Sequence, residues 1–147
     1  MGYQEIDRKI AEKMAELAIG QLAYSYAPYS GFKVGAALMA ENGKLYTGCN
    51  IENAAYTPTN CAERTAFFKA VSEGERAFRA ICIAGGKDGV LTGYTAPCGV
   101  CRQVMMEFCN PDTFQVILAV SKEQYKIFTL KELLPLGFGP ENLSSKE

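Results

Sequence analysis

The stretch VGAALMAENGKLYTGC, residues 34–49, contains two strand-prone runs on either side of a turn signal. The runs cover residues 34–39 and 44–49, and Glu41, Asn42 and Gly43 separate them. Asn-Gly between two such runs predicts a β-hairpin in which both turn residues adopt positive φ. The stretch therefore provides two antiparallel strands early in the chain.

Helical and strand patterns alternate around this hairpin. Ile6, Ile10, Met14 and Leu17 recur at helical spacing and predict a helix from about residue 4 to residue 26, which Pro28 ends. After the hairpin we predict a helix over residues 60–74, a buried strand over 79–84, a loop through Gly85, Gly86, Gly89 and Gly93, a helix over 98–111, strands over 115–120 and 125–128, and a short helix over 129–134. This order predicts a three-layer α/β domain with a mixed five-stranded sheet covered by helices.

The bulk composition narrows the class of protein. A chain of 147 residues fits one domain, so we expect a single catalytic domain over residues 1–147. The net charge is −1 and the basic residues form no run, which argues against a nucleic-acid polymer and favours a small, nearly neutral substrate. No stretch is long and apolar enough for a membrane span, and the first residues are polar, so we expect a cytoplasmic protein without a membrane partner.

Cysteine and histidine usage restricts the chemistry further. Six cysteines in a reducing compartment are typical of metal ligands or buried thiols rather than disulfides. The chain has no histidine, so a histidine base is excluded and a zinc site must be built from sulfur and oxygen. Cys49, Cys82 and Cys109 lie in apolar surroundings, and we expect them to be inert buried thiols.

Two short segments contain the other three cysteines. Cys98 and Cys101 form a Cys-x-x-Cys pair after Pro97, a spacing that fits one tetrahedral ion, a redox dithiol or half of a structural zinc site. Cys61 lies in the other segment, where Asn60 and Glu63 also fit a helix capping box. Taken separately, each segment leaves these alternatives open.

Together the segments favour a catalytic metal centre. Cys61, Cys98 and Cys101 supply the three protein ligands of a catalytic zinc, and each lies near a predicted helix N-terminus. Three thiolates make the metal a weak Lewis acid, and the two helix dipoles and Arg64 offset that charge. Glu63 lies two residues after a ligand and can carry protons beside the metal without binding it.

The chain resembles the cytidine deaminases, in particular the small homotetrameric type whose zinc is bound by three cysteines. The resemblance covers nearly the whole chain and rests on the segments at residues 26–37, 48–56, 61–66, 97–103 and 132–138. It implies the layered α/β fold, one Zn²⁺ per subunit, and hydrolysis of cytidine and 2′-deoxycytidine to uridine and 2′-deoxyuridine in pyrimidine salvage. Zinc-activated hydroxide would attack C4 of the base while Glu63 shuttles the proton.

The resemblance also implies how the nucleoside binds. Asn50 and Glu52 would bind the ribose 3′-hydroxyl, Phe32 would pack against the base, and Glu63 with the backbone of Ala62 would hold the pyrimidine edge. Arg64 would donate to the zinc thiolates. Aromatic side chains from neighbouring subunits, Phe138 and Tyr56, would complete each site of a homotetramer.

Three features depart from the usual family pattern, all near the second zinc segment. Thr95 and Ala96 precede Pro97 where a serine is more common, the loop over residues 85–96 is longer than in many members, and Val100 replaces an alanine. The alternatives are a structural zinc module closed by a fourth cysteine, a dithiol oxidoreductase, or a deaminase of a related cytosine nucleoside analogue. Polynucleotide-editing deaminases often have a histidine ligand and a basic channel, which the sequence lacks.

Overall fold

Strands and helices alternate along residues 3–144, the part of the chain that the computed structural model describes. The strands are β1 (Phe32–Ala40), β2 (Leu45–Cys49), β3 (Phe78–Lys87), β4 (Gln115–Ala119) and β5 (Tyr125–Thr129). The helices are α1 (Arg8–Gly20), α2 (Ala62–Ser72), α3 (Gly99–Phe108), α4 (Leu130–Leu133) and α5 (Pro140–Leu143). None of the described helices is long and apolar enough to cross a bilayer.

The predicted hairpin forms, with a different turn. β1 and β2 pair antiparallel, with Gly35 opposite Cys49 and Met39 opposite Leu45. Gly43 has a φ of 91°, but Asn42 does not have positive φ, so the prediction of two positive values is wrong. The loop has three residues: Gly43 N–H donates to the Ala40 carbonyl at 2.9 Å, and Ala40 N–H donates to Lys44. Such a loop needs only one left-handed residue, which glycine supplies.

One mixed sheet contains all five strands in the order β2-β1-β3-β4-β5. β1 pairs antiparallel with β3, β3 pairs parallel with β4, and β4 pairs antiparallel with β5. The parallel pair requires a crossover, which α3 provides. The predicted mixed five-stranded sheet is confirmed.

Helices cover both faces of the sheet, which gives the predicted three layers. On one face, α1 buries Met14 and Ala18 against alternate residues of β1, β3 and β4. On the other face, α2 and α3 bury Phe67 and Met105 against the intervening residues of the same strands. Strands covered on both sides are apolar along their whole length, as β3 and β4 are.

The first helix begins later than predicted. α1 begins at Arg8 because the Asp7 side chain accepts from Ile10 N–H at 3.0 Å and caps it. The preceding residues are instead bound to Gln115, whose side chain accepts from Ile6 N–H and donates to the Gln4 carbonyl, both at 2.8 Å. α1 ends at Gly20, and a short 3₁₀ turn over Gln21–Tyr24 follows.

Gly85 and Gly86 lie inside β3 rather than in the predicted loop. The chain turns back immediately after this strand, and a Cβ on Gly86 would lie 1.9 Å from the Val90 carbonyl oxygen. Glycine is thus needed there for close packing of two backbones and does not indicate a flexible loop. The helix α5 was not predicted, since its four residues carry no periodic pattern.

Candidate active site

The N-termini of α2 and α3 bring three thiols together. Cys61 is the N-cap of α2, Cys98 is the N-cap of α3, and Cys101 lies in the first turn of α3. Their Sγ atoms all lie within 4.8 Å of one another, and those of Cys61 and Cys98 are 3.7 Å apart. The sheet places the two helix starts side by side although the segments are 37 residues apart in sequence.

The capping-box interpretation of Asn60 and Glu63 is wrong. Asn60 lies one residue before the cap, and its backbone N–H donates to the Ile51 carbonyl at 2.9 Å. Its side chain donates to Thr65 Oγ1 at 3.2 Å. Because Cys61 takes the cap position in an extended conformation, Glu63 falls in the first helical turn and does not have to bond back to Asn60.

The chemistry of the thiols fits a zinc ion. Three sulfur donors with room for a fourth ligand are the donor set of a catalytic zinc site. Arg64 Nη2 donates to Cys61 Sγ at 3.3 Å, so a fixed positive charge compensates the thiolates. Arg64 Nε is buried and has no hydrogen-bond partner among the described residues. The bond from Nη2 joins the guanidinium to the thiol cluster.

The pKa values of Cys61 and Cys101 shift in opposite directions. Hydrogen bonds from Cys101, Arg64 and Cys98 lower the pKa of Cys61 to about 5. The Cys101 thiol has a raised pKa because it keeps its proton to donate to Cys61 and because it is buried. The lowered pKa favours the thiolate form of Cys61, which is the form that binds a metal.

Glu63 lies beside the thiols and is 4% exposed. Burial raises its pKa to about 7, and the negative charge of Cys61 adds to the effect. Glu63 lines the same cavity as Cys61 and Cys98. The structure therefore brings the predicted proton carrier and two of the predicted ligands to one cavity, with Cys101 directly behind them.

This cavity has a volume of about 260 Å³ and includes four of the six predicted substrate-binding residues: Phe32, Asn50, Glu52 and Ala62. Phe32, at the start of β1, is 39% exposed. A larger cavity of about 530 Å³ lies between the end of α3 and α5, but it contains none of the clustered thiols. We assign the site to the smaller cavity because it contains the reactive groups.

Asn50 has a structural role as well as a place in the cavity. Its Oδ1 accepts from Val34 N–H at 2.9 Å and from Ser25 Oγ at 2.5 Å, and its Nδ2 donates to the Phe32 carbonyl at 2.8 Å. These bonds tie the end of β2 to the start of β1. One Nδ2 hydrogen remains for a ligand.

Glu52 has a different set of partners, which sequence reasoning did not identify. Its Oε1 accepts from the backbone N–H groups of Tyr29 and Ser30 at 2.9 and 3.1 Å, and its Oε2 accepts from Ser30 Oγ. These bonds, the one from the Ser30 hydroxyl above all, lower the pKa of Glu52. Ser30 lines the cavity with Thr59 and Thr95, and no spacing rule separates such residues from ordinary loop residues.

Tyr56 and Phe138 lie outside the cavity within their own chain. Tyr56 has a φ of 66° and packs edge-on against Tyr29, with ring centroids 6.4 Å apart, in an adjacent cavity that Glu52 also lines. Phe138 is 54% exposed, and its carbonyl accepts from Gln103 Nε2 at 2.8 Å. The two aromatic rings are therefore available to a neighbouring molecule.

The other three cysteines do not join the metal cluster. Cys49, Cys82 and Cys109 are buried, and within residues 3–144 the only group of thiols and carboxylates close enough for a metal is Cys61, Cys98 and Cys101. A structural zinc with a fourth sulfur thus lacks its fourth ligand. Burial raises the pKa of Cys82 to about 12, as expected of an inert thiol.

The departures near the second zinc segment leave the ligands in place. Thr95 Oγ1 donates to the Gly85 carbonyl at 3.0 Å and ties the loop to the end of β3, and Thr95 and Ala96 line the cavity edge. Val100 is 56% exposed on α3. The loop therefore shapes the rim of the cavity, while the ligand positions depend on α3.

Known proteins share both the sequence and the fold. The family profile described as "Cytidine and deoxycytidylate deaminase zinc-binding region" matches residues 8–117. A cytidine deaminase of Sporosarcina psychrophila is 52% identical over 120 residues, which cover 82% of this chain and 85% of the relative. A probable cytidine deaminase of Dictyostelium discoideum is 43% identical over 137 residues, 92% of this chain and 88% of the relative.

Solved structures agree with the sequence comparisons. The crystal structure of a cytidine deaminase from Burkholderia pseudomallei has a TM-score of 0.78 and 44% identity, and the match covers 86% of this chain and 97% of that one. A cytidine deaminase structure from Mycobacterium tuberculosis has a TM-score of 0.75 and 32% identity, and covers 92% of this chain and 99% of the other. The whole layered arrangement is therefore shared.

Proposed function

The chain belongs to the zinc-dependent cytidine deaminase family, and we propose that it hydrolyses cytidine and 2′-deoxycytidine to uridine and 2′-deoxyuridine with release of ammonia. One observation carries the proposal: of three clustered thiols, Cys61 and Cys98 line the same small cavity as the buried residue Glu63, and Cys101 lies within 4.8 Å of both sulfurs. Thiol ligands for a zinc ion and a carboxyl group that carries protons are the groups that zinc deaminases use to hydrolyse a C–N bond at a ring carbon. We assign the activity to one catalytic domain over residues 1–147.

Cys61, Cys98 and Cys101 would hold one Zn²⁺ per subunit. When bound, zinc would supply a Lewis acid that lowers the pKa of water at the site. The residues of the chain do the rest. Arg64 compensates the thiolate charge through its bond to Cys61, and the N-termini of α2 and α3 add their dipoles.

Glu63 moves the protons. Its carboxylate accepts a proton from water and delivers it to N3 of the cytosine ring as the hydroxide adds to C4. It then accepts the proton of the new C4 hydroxyl group and delivers it to the departing amine, so that the C4–N bond breaks and ammonia leaves. Its place in the first turn of α2, two residues after Cys61, supports this role because Glu63 is buried and lines the same cavity as Cys61. The surrounding burial excludes bulk water that would compete for the proton.

The cavity suits a nucleoside better than its 5′-phosphate. Among the described lining residues, the charged side chains other than the thiols are Glu52 and Glu63, with no lysine or arginine. A phosphate would meet two carboxylates and no compensating cation. Asn50 and Glu52 would bind the ribose 3′-hydroxyl, Phe32 would pack on the base, and the Ala62 backbone would hold the pyrimidine edge.

Neighbouring copies of the chain would complete each site. We assign Phe138 and Tyr56 to this role in a homotetramer, supported by their exposure and by their absence from the cavity of their own chain. A cytoplasmic location in pyrimidine salvage accords with three thiols that must stay reduced to bind metal.

The Glu63→Gln variant tests the proposed function. Wild-type protein should convert cytidine to uridine, and the change in ultraviolet absorbance measures the rate of this conversion. The variant keeps the shape of the side chain but cannot carry the proton, so turnover should fall roughly 10²–10⁴-fold, the usual contribution of a general acid–base group. Its zinc content, measured by atomic emission, should stay at one ion per chain. Wild-type turnover in the variant would contradict the role of Glu63.

A further inference from the structure

The short segment between Pro28 and β1 is held by the rest of the site at several points. Its centre is Ser30, which lines the proposed nucleoside cavity. The Ser30 hydroxyl donates to Glu52 Oε2 and accepts from Phe32 N–H at 3.0 Å. One side-chain oxygen thus connects two residues that bind different parts of the proposed substrate, the ribose and the base.

The hydroxyl has a fixed direction. One lone pair of the hydroxyl oxygen accepts from the Phe32 N–H, and the single hydroxyl proton is donated to Glu52. Among the described contacts, this is also the only bond to Oε2, whereas Oε1 accepts two backbone N–H groups, from Tyr29 and Ser30. Without the hydroxyl, the carboxylate would be fixed at one oxygen and free to turn about it.

The opposite side of the segment is anchored independently. Lys87 Nζ donates to the Ser30 carbonyl at 2.8 Å, and Asp88 N–H donates to the Gly31 carbonyl at 2.6 Å. Gly31 has a φ of 70°, and a Cβ there would approach Lys87 Nζ and Asp88 Oδ1 at 3.2 Å. The end of β3 therefore holds the backbone of Ser30 in place, so that its side chain is a rigid support for Glu52.

We propose that Ser30 is a positioning residue that orients the Glu52 carboxylate toward the ribose 3′-hydroxyl of the substrate. The inference rests on the proposed function, in which Glu52 accepts that hydroxyl. We do not assign Ser30 a role in proton transfer, because its single hydroxyl proton is donated to Glu52 and one of its two lone pairs accepts from Phe32 N–H. Its effect therefore belongs to substrate binding rather than to the chemical step.

The Ser30→Ala variant, compared on cytidine and 3′-deoxycytidine, tests this inference. For cytidine, KM should rise about tenfold with kcat within about twofold of wild type, which is the size expected for loss of one charge-assisted hydrogen bond. For 3′-deoxycytidine, which lacks the hydroxyl, the variant and the wild type should have KM values within about twofold of each other. Ser30→Thr keeps a hydroxyl and should restore the cytidine KM.

Ser72→Ala is the matched control, because the Ser72 hydroxyl only donates to the Lys69 carbonyl at the exposed end of α2. It should leave both substrates unaffected. Thermal unfolding of all variants, and binding of uridine and 3′-deoxyuridine by calorimetry, separate a folding defect from a lost contact. Equal losses of Ser30→Ala on both substrates, an unchanged cytidine KM, or failure of Ser30→Thr to restore it would overturn the inference. Failure of the wild-type protein to deaminate cytidine would instead overturn the proposed function.

Discussion

At the scale of single residues, the geometry of the site depends on the N-cap positions of Cys61 and Cys98. Cys61 and Cys98 are N-caps with extended backbone, at φ −79° and −68°, so neither follows the 100° step of a helix. For this reason Glu63, only two residues after Cys61, can face the same cavity as its neighbour. In a regular helix the two side chains would point about 200° apart.

The burial of the cysteines predicts an order of chemical reactivity. After chelation of the metal, iodoacetamide at neutral pH should label Cys98, whose side chain is exposed, and Cys61, whose lowered pKa makes it a thiolate, before the other cysteines. Cys82 and Cys109 should stay unlabelled until the protein unfolds. Both are buried, and burial raises the pKa of each thiol, to about 12 for Cys82, so the reactive thiolate is scarce below that pH.

Mass spectrometry of the alkylated peptides, with and without chelator, measures this order. In the zinc-loaded protein Cys98 should be protected together with Cys61 and Cys101. Labelling of Cys82 before Cys98 in the folded protein would contradict the assignment.

The residue types of the metal site could be predicted from sequence, whereas their local roles could not. The three ligands and Glu63 are identifiable because a Cys-x-Glu and a Pro-Cys-x-x-Cys segment together are rare by chance. A cap at Asn60 is an alternative that the sequence leaves open, because asparagine is a strong cap by propensity, but the structure has Cys61 as the cap. Tertiary contacts of Asn60 with Ile51 and Thr65 overrode that preference.

Among the elements, the contact of β2 with α2 sets the position of the first zinc ligand. Gly48 in β2 faces the start of α2, and a Cβ there would lie 2.6 Å from the Ala62 carbonyl oxygen and 2.7 Å from Ala66 N. Both are backbone atoms, so the strand and the helix can approach this closely only because the residue is glycine.

The Gly48→Ala variant should therefore be less stable and less active. The added methyl group must push α2 away from the sheet, which should cost about 1–3 kcal/mol in free energy of unfolding. It should also lower kcat/KM, because Cys61 and Glu63 move with the helix. Gly20→Ala is the control, since a Cβ there meets nothing within 4 Å and φ is not positive. Urea unfolding and cytidine turnover measure both effects, and equal behaviour of the two variants would contradict the argument.

The elements themselves were largely predictable, since long periodic runs determine them. β3, β4, α2 and α3 were expected within a few residues of their observed bounds. The errors arose where distant residues decide the local structure. Gln115 is more than a hundred positions away from Ile6, yet it binds the segment that was predicted to be helical. No local pattern carries that information.

At the scale of the whole molecule, the exposure of Phe138 allows a test of whether neighbouring copies of the chain contribute residues to one another's active sites. If Phe138 serves the site of a neighbouring copy, coexpression of Glu63→Gln with Phe138→Ala should give mixed oligomers that regain activity. The Phe138→Ala chain would supply Glu63, and its partner would supply the aromatic ring. Were the ring to act within its own chain, no mixed site would be complete.

Turnover of the mixed protein, compared with each variant expressed alone, measures the recovery. Light scattering should give a mass about four times the 16.0 kDa of one chain. A mixture no more active than its better component would contradict sharing of the site.

Removal of the metal should separate activity from folding. Cys101 belongs to one of the two apolar layers and Cys61 packs against it, but the other members of both layers are not ligands of the metal. A chain of 147 residues can bury a sufficient core without a metal. Chelated protein should thus keep its far-ultraviolet circular dichroism, lose turnover and regain it with Zn²⁺, whereas loss of the dichroism signal would show that the metal is structural.

The position of β1 has a consequence for the order of events during biosynthesis. Gly35 pairs with Cys49 of β2 on one side and with Ala84 of β3 on the other. β1 therefore lies between the strand that precedes Cys61 and the strand that precedes Cys98 and Cys101. A nascent chain that has emerged only as far as Cys61 offers one of the three clustered thiols, and we expect Cys98 to lie beside it only after β3 has docked on β1. Binding of the metal by all three thiols is therefore expected late in folding, after the central strands β1 and β3 have paired.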